Sequence, residues 1–281
     1  MYGAHESNRP TREKQTAPTI RGRKGGNRVV MVTAYDYTMA RLVDASSVDM
    51  VLVGDSLGMV MQGHSTTLPV TVDDMVYHTR CVARGTTAAM LVTDMPFMSY
   101  QVSPEQAVQS AGRLVQEGGA EAVKLEGGEA FAEHIRRIVL AGIPVVAHVG
   151  LMPQSVHALG GFRLQGRGAE AGEQVLRDAR AAQDAGAFCI VLESVPPDVA
   201  ARITLELQIP TIGIGAGVAC DGQVLVGQDL LGLGLGRPPK FVKAYADLGL
   251  QAVGAFEAFA SDVREGRFPD AAHTFKPNGT P

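Results

Sequence analysis

Residues 103–149 read SPEQAVQSAGRLVQEGGAEAVKLEGGEAFAEHIRRIVLAGIPVVAHV. Two hydrophobic periods alternate within this stretch. Ser103-Pro104-Glu105-Gln106 opens a helix, with an N-cap serine, a proline at the first helical position and a glutamine placed to close a capping box. Ala107, Val108, Ala111, Leu114 and Val115 mark one face at helical spacing, and Gly118-Gly119 stops it. AVKLE (122–126) is a short apolar run that reads as a buried strand. Glu129 to Leu140 repeats the helical pattern up to Gly142-Ile143-Pro144, and PVVAHV (144–149) is the next strand. Near-continuous apolar strands of this kind suit a parallel sheet covered on both faces.

Working outward, the same unit recurs. Further strand candidates are 29–34 (VVMVTA), 50–54 (MVLVG), 89–93 (AMLVT), 188–193 (FCIVLE), 211–215 (TIGIG) and, more weakly, 223–227 (QVLVG). Helices are predicted over 169–185, ending at Gly186, and over 199–207, ending before Pro210. Eight strands with intervening helices in 281 residues predict an α/β fold, the (β/α)8 TIM barrel, which typically takes about 250 residues. A doubly wound open sheet is the alternative. Its G-x-G-x-x-G fingerprint is missing, because Gly213, Gly215, Gly217 and Gly232, Gly234, Gly236 have the wrong spacing, and there is no P-loop. Phe241 to Val263 reads as an additional C-terminal helix, weakened by Gly249 and Gly254. The expected organisation is a flexible N-terminal arm (1–18), one catalytic domain with its terminal helix (19–265) and a C-terminal tail (266–281).

Composition narrows the function. Hydrophobic residues make up 46% and charged residues 19%, a globular balance. The 25 basic and 29 acidic side chains leave no basic excess, and tryptophan is absent, so nucleic acid is not an expected partner. No apolar run approaches the ~20 residues of a membrane helix. Cys81, Cys189 and Cys220 form no C-x-x-C pair, and the N-terminus has no apolar signal region, which together predict a cytoplasmic protein. The basic group Arg21, Arg23, Lys24 and Arg28 reads as solvated surface.

In a (β/α)8 barrel the chemistry gathers where strands exit at their C-terminal ends. Asp55 and Ser56 follow MVLVG, Asp94 follows AMLVT, and Lys124 and Glu126 lie in AVKLE. His148 sits in PVVAHV and Glu193 ends FCIVLE. Four carboxylates at one rim repel one another unless a cation or lysine offsets them. Hard oxygen donors without a Cys or His cluster point to Mg²⁺ rather than zinc. Lys124 and Glu126 are two apart and so share one side of a strand. Gly54-Asp55-Ser56-Leu57-Gly58 matches the G-x-S-x-G nucleophile elbow. The elbow needs a following helix, however, and Met59 to Val72 does not read as one, which disfavours serine-hydrolase chemistry. Gly213-Ile214-Gly215-Ala216-Gly217 allows either an anion site on backbone N–H groups or a tightly packed turn. His64, His78, His134 and His157 have no position that ties them to a site. Met59, Met61, Met95, Met98 and Met152 are expected to line a pocket or core.

Several strings carry a resemblance. VTAYDYTMARLVD (32–44), VLVGDSLGMVMQGHSTTLPVT (51–71), TDMPFMSY (93–100), VKLEGG (123–128), VVAHVGLMPQS (145–155), VLESVP (191–196) and TIGIGAG (211–217) resemble the ketopantoate hydroxymethyltransferase family. The match runs in order from about residue 19 to 275 and leaves the N-terminal arm outside. The resemblance implies a TIM barrel of the phosphoenolpyruvate/pyruvate-binding type. It implies Mg²⁺-dependent hydroxymethyl transfer from 5,10-methylenetetrahydrofolate to 3-methyl-2-oxobutanoate through an enolate. The products would be 2-dehydropantoate and tetrahydrofolate, in the first committed step of pantothenate biosynthesis. It also implies a homo-oligomer, commonly a decamer built as a pentamer of dimers. By the same resemblance Asp55 and Asp94 match the metal carboxylates, with Glu126 as a third. Asp55, Ser56, Asp94 and Lys124 match the oxo-acid-binding residues, His148 a histidine near the bound acid, and Glu193 the general base. The rivals are a barrel enzyme that cleaves or rearranges a 2-oxo acid, and a non-catalytic barrel.

Overall fold

The computed structural model describes residues 12–158, 160–161 and 164–275. Eight strands run in chain order: β1 (Val29–Thr33), β2 (Met50–Val53), β3 (Met90–Asp94), β4 (Ala122–Glu126), β5 (Val145–Gly150), β6 (Cys189–Glu193), β7 (Thr211–Ile214) and β8 (Gly222–Leu225). Each pairs in parallel with the next, and β8 returns to β1, closing a barrel. All eight predicted runs therefore form strands, including the weakest. β8 opens with a glycine for a steric reason. A Cβ on Gly222 would stand 2.3 Å from the Val29 carbonyl oxygen across the closing seam.

Among the described residues ten α-helices accompany the strands. They are α1 (Ala17–Arg21), α2 (Tyr37–Asp44), α3 (Leu57–Val60), α4 (Val72–Ala83), α5 (Pro104–Gln116), α6 (Ala132–Leu140), α7 (Ala169–Asp184), α8 (Pro197–Glu206), α9 (Gly227–Leu230) and α10 (Leu248–Arg264). At α5 the Ser103 hydroxyl accepts the Gln106 N–H at 3.2 Å, as its sequence predicts. The other half of the expected capping box is not made. Gln106 Oε1 accepts from the Val102 N–H and its Nε2 donates to the Met98 carbonyl, so the side chain ties down the preceding loop instead. The segment from Glu129 begins with one 3₁₀ turn before α6. The terminal helix starts at Leu248, later than Phe241. The N–H groups of Tyr245, Leu248 and Gly249 donate to the carbonyls of Leu230, Leu231 and Gly232, which commits that backbone to the loop before α10.

The barrel interior follows the two-residue period of strands. Met31, Met50, Leu52, Met90, Val92, Ala122, Val146, Cys189, Val191, Ile212 and Val224 belong to one buried cluster. Two residues further along the same faces come Asp94, Lys124, His148 and Glu193. Hydrocarbon thus gives way to charge at one level of the barrel, toward the strand C-termini.

The opposite end is closed by the N-terminal segment, and here the structure corrects two expectations. Residues 12–18 of the expected arm are held. The Arg12 guanidinium donates to the carbonyls of Ser46 and Val48, and Lys14 Nζ reaches the Ala89 carbonyl and Glu121. Ile20 is fully buried in the barrel cluster. Residues 1–11 lie outside the described residues. The basic group is also not simply solvated: Arg23 pairs with Asp49 and Lys24 with Asp221, each at 2.9 Å. Asp49, Ala89, Glu121 and Asp221 immediately precede β2, β3, β4 and β8, where strand-initial polar groups need partners.

The chain resolves into two compact units, one ending at Val226 and one beginning at Gly227. The first contains the whole barrel. The second contains α9 and α10. No helix among the described residues is long and apolar enough to cross a membrane.

Candidate active site

The strand-end residues form one connected set. Lys124 Nζ lies 2.9 Å from Asp94 Oδ1 and 3.3 Å from His148 Nδ1. His148 Nε2 lies 3.2 Å from Glu193 Oε2, and its Nδ1 lies 3.7 Å from Glu126 Oε1. The sheet register explains the proximity, because Asp94 is level with Lys124 and Glu126 with His148 on neighbouring strands. Asp55 joins from the turn after β2. Its backbone N–H donates to Asp94 Oδ2 at 3.0 Å. Gly54 occupies the inward position there, and a Cβ on it would meet Ser56 Oγ at 2.8 Å and Asp94 Oδ2 at 3.4 Å.

Burial sets the electrostatics. Asp55, Asp94, Lys124, Glu126 and His148 are all buried, whereas the Glu193 side chain keeps 17% of its surface exposed. Burial and the neighbouring Asp94 push the Asp55 carboxyl up to about 7, against the pull of Lys124, Gln154 and Thr67. Burial and Asp55 likewise raise Glu126 well above the ordinary glutamate value. Burial pulls Lys124 down, but Asp94, Glu126 and Asp55 outweigh it and hold the ammonium charged. Burial and Lys124 lower His148, which favours a neutral imidazole. With Lys124 as donor toward Nδ1, the proton of that imidazole belongs on Nε2, facing Glu193; this tautomer is inferred from the contacts.

The donor set suits a hard cation. Three buried carboxylates, Asp55, Asp94 and Glu126, act on one lysine, and Asp94 Oδ1 has no aligned hydrogen bond despite the lysine beside it. Among the described residues no group of three or more His, Cys, Asp or Glu side chains is placed to hold a metal ion by itself. Mg²⁺ does not require one, since it usually binds through one or two carboxylates and completes its shell with water and substrate.

Ser56 sits beside the carboxylates, with its Oγ 2.8 Å from the Tyr35 hydroxyl. One helical turn, α3, follows it, and residues 61–71 are non-helical, as that segment reads. The serine oxygen pairs with a tyrosine whose own pKa is raised by burial, and a phenol held protonated is no general base for a serine nucleophile. The glycine loop after β7 has a packing explanation. A Cβ on Gly213 would crowd Cys220 and Gln223 at 3.0 Å, and one on Gly217 would meet Pro197 at 2.9 Å.

Three polar residues in contact with the set have no sequence signal of their own. Tyr35 touches Ser56, and its carbonyl is 2.7 Å from His78 Nδ1. Tyr100 and Gln154 reach Glu126 and Asp55 from the loops after β3 and β5. All three fall inside the recognisable strings, yet loop residues obey no period that would single them out. Beside Glu126 a cavity of about 520 Å³ is lined by Phe97, Tyr100, Phe131, Met152, Gln174 and Asp178, among others.

Comparison with known proteins shows the family and the fold. The family model described as ketopantoate hydroxymethyltransferase matches residues 14–271. The 3-methyl-2-oxobutanoate hydroxymethyltransferase of Syntrophus aciditrophicus is 55% identical over 263 residues, covering 93% of this chain and 97% of its own. That of Moorella thermoacetica is 55% identical over 266 residues, covering 94% and 99%. Among solved structures, 2,3-dimethylmalate lyase of the PEP mutase/isocitrate lyase superfamily superposes with a TM-score of 0.57 at 16% identity, covering 93% of this chain and 92% of its own. Phosphonopyruvate hydrolase gives 0.58 at 17% identity, with the same coverage. These two likenesses concern the fold.

Proposed function

The chain belongs to the ketopantoate hydroxymethyltransferase family, and we propose how its barrel rim carries out that family's reaction. It is a 3-methyl-2-oxobutanoate hydroxymethyltransferase, an enzyme that places a one-carbon unit on C3 of a branched 2-oxo acid. The product is 2-dehydropantoate, on the route to pantothenate. The donor in this reading is 5,10-methylenetetrahydrofolate. The observation that carries the mechanism is the continuous contact from Asp94 through Lys124 and His148 to Glu193.

Asp55 and Asp94, with Glu126 behind them, would hold Mg²⁺. Bound there, the ion would polarise the keto group and favour enolisation. Lys124 places a fixed positive charge where the enolate oxygen develops its negative charge. Ser56 and Lys124 orient the oxo acid. Glu193 is the more exposed carboxylate, and it takes the C3 proton. His148, whose Nε2 faces Glu193 at 3.2 Å, keeps that glutamate beside the reaction space. Water releases the donor's methylene as formaldehyde, both of its C–N bonds breaking as tetrahydrofolate forms. The enolate carbon adds to that carbonyl carbon, whose oxygen takes a proton to become the hydroxyl group, and the folate carrier is assigned to the cavity beside Glu126. The homo-oligomer, its decameric form and a cytoplasmic location belong to the same reading.

Proton NMR in D₂O with 3-methyl-2-oxobutanoate, Mg²⁺, tetrahydrofolate and enzyme, without formaldehyde, tests the enolisation. Exchange at C3 is expected to collapse the methyl doublet toward a singlet, and EDTA to stop it. A persistent doublet, followed by a new CH₂OH signal once the methylene donor is added, would place proton removal after donor binding. A doublet that persists with no such signal would overturn the mechanism.

A further inference from the structure

Gln154 is buried, lies in the loop after β5 and comes from none of the strand ends. Its carboxamide has every hydrogen-bonding position filled. Nε2 donates to Asp55 Oδ2 at 2.9 Å and to the Met95 carbonyl at 2.9 Å. Oε1 accepts from the Tyr100 hydroxyl at 2.9 Å and from Gln101 Nε2 at 3.0 Å. The backbone N–H of the same residue donates to Glu126 Oε2 at 3.1 Å. One residue therefore holds an oxygen of each of two carboxylates that come from different strands.

The direction of the carboxamide follows from its partners. Turned over, it would set Oε1 against the Asp55 carboxylate and the Met95 carbonyl, and Nε2 against Gln101 Nε2. Tyr100 reinforces the native direction. Its hydroxyl accepts the Glu126 N–H at 3.2 Å and donates to Gln154 Oε1 at 2.9 Å, with the Glu126 carbonyl oxygen a longer second acceptor at 3.2 Å. A chain of donors thus runs from the end of β4, through Tyr100 and Gln154, to the turn after β2. Asp55 Oδ2 is thereby occupied by a donor from the protein, which leaves Oδ1 as its oxygen for other partners.

We propose that Gln154 is a positioning residue for divalent-cation binding. Its carboxamide and its backbone N–H fix the rotation and separation of the Asp55 and Glu126 carboxylates before the cation arrives, and Tyr100 locks the carboxamide. The proposal rests on Asp55 being a cation-holding residue. Partners that orient ligating carboxylates commonly change metal affinity by about 10- to 100-fold when removed. A glutamine that only pinned its loop would affect thermal stability and leave cation affinity alone.

The test is Mn²⁺ titration followed by EPR of the free ion, without oxo acid or folate, on the full-length wild type and the Gln154→Met, Tyr100→Phe and Asp55→Asn variants. Thermal midpoints are measured alongside. Gln154→Met keeps the side-chain length and removes its hydrogen bonds. It is expected to weaken Mn²⁺ by about 10-fold or more at a Tm that shows a folded protein. Tyr100→Phe should weaken it by a smaller factor, and it serves as the deciding variant if Gln154→Met does not fold. Wild-type affinity in the folded Gln154 variant, with Asp55→Asn impaired, would overturn the role of Gln154 and leave the cation site standing. Wild-type affinity in Asp55→Asn would instead remove the cation reading, and the proposal with it.

Discussion

At the scale of single residues, the proposed mechanism separates charge placement from proton removal. Glu193 is the one carboxylate of the set with substantial exposure, and it touches His148 rather than the Asp55–Asp94 pair. Glu193→Gln keeps the shape and removes the base. Turnover and C3 exchange are expected to fall by roughly 10²–10⁴ while Mn²⁺ binding stays at the wild-type level. Near-normal exchange in that variant would exclude Glu193 as the base. Lys124 divides differently, because its ammonium faces both Asp94 and the reaction space. Lys124→Ala should slow C3 exchange by about 10²–10³, a larger factor than any change in cation affinity. The reverse ranking would make the lysine a counter-ion for Asp94 and nothing more. The same scale shows what could be read in advance. Asp94, Lys124, Glu126, His148 and Glu193 were legible because each occupies a strand end, where the two-residue period fixes its direction. Tyr100 and Gln154 were not, because loops bring them to the site and only the folded chain defines their neighbours.

At the scale of elements, the two ends of the barrel strands have different tasks. The C-terminal ends carry the proposed site, and the N-terminal ends are fastened by charged side chains accepting from or donating to strand-initial backbone. Asp44, the last residue of α2, is the clearest case. Burial pushes its carboxyl up, but the Thr87 hydroxyl and the N–H groups of Thr87, Ala88 and Ala89 outweigh that and hold it below the ordinary aspartate value. A carboxyl lowered in the folded state stabilises the protein above its unfolded value, and that contribution is lost as pH falls through the folded value. Asp44→Asn should therefore cost about 1–3 kcal/mol at pH 7 by chemical denaturation. It should also lose less stability than the wild type on acidification below about pH 4. Parallel acid-stability curves for the two proteins would show that these hydrogen bonds do not depend on the charge. The eight strands and the helices from α5 to α8 were legible from periodicity, whereas α2 and α4 were not singled out. The exact use of their caps was not, as Gln106 shows: a capping-box residue in sequence, it is drawn off by the carbonyl of Met98 and the N–H of Val102.

At the scale of the molecule, the barrel accounts for residues up to Val226, and the unit from Gly227 presents a different problem. Of the 17 residues of α10 only Gly249 is buried. Leu250 is 64% exposed and Phe256 72%, in a helix of positive mean hydrophobic character with Val253 and Val263 also uncovered. A contiguous apolar face of this kind is costly in water and marks a surface that something covers. The homo-oligomer inferred from the family supplies a cover of the right chemistry, a second copy of the same chain. Light scattering on the purified protein should then give a mass several times that of the 29.6 kDa chain. Phe256→Glu puts a charge at the centre of the exposed face and should lower that mass, while leaving C3 exchange by any protomer that remains folded, because Phe256 lies outside the barrel that holds Asp55, Lys124 and Glu193. A monomeric wild type would exclude the oligomer, and an unchanged mass in Phe256→Glu would move the interface to another surface. Loss of exchange together with loss of mass, at an unchanged circular dichroism spectrum, would mean that assembly holds the barrel rim in its working shape.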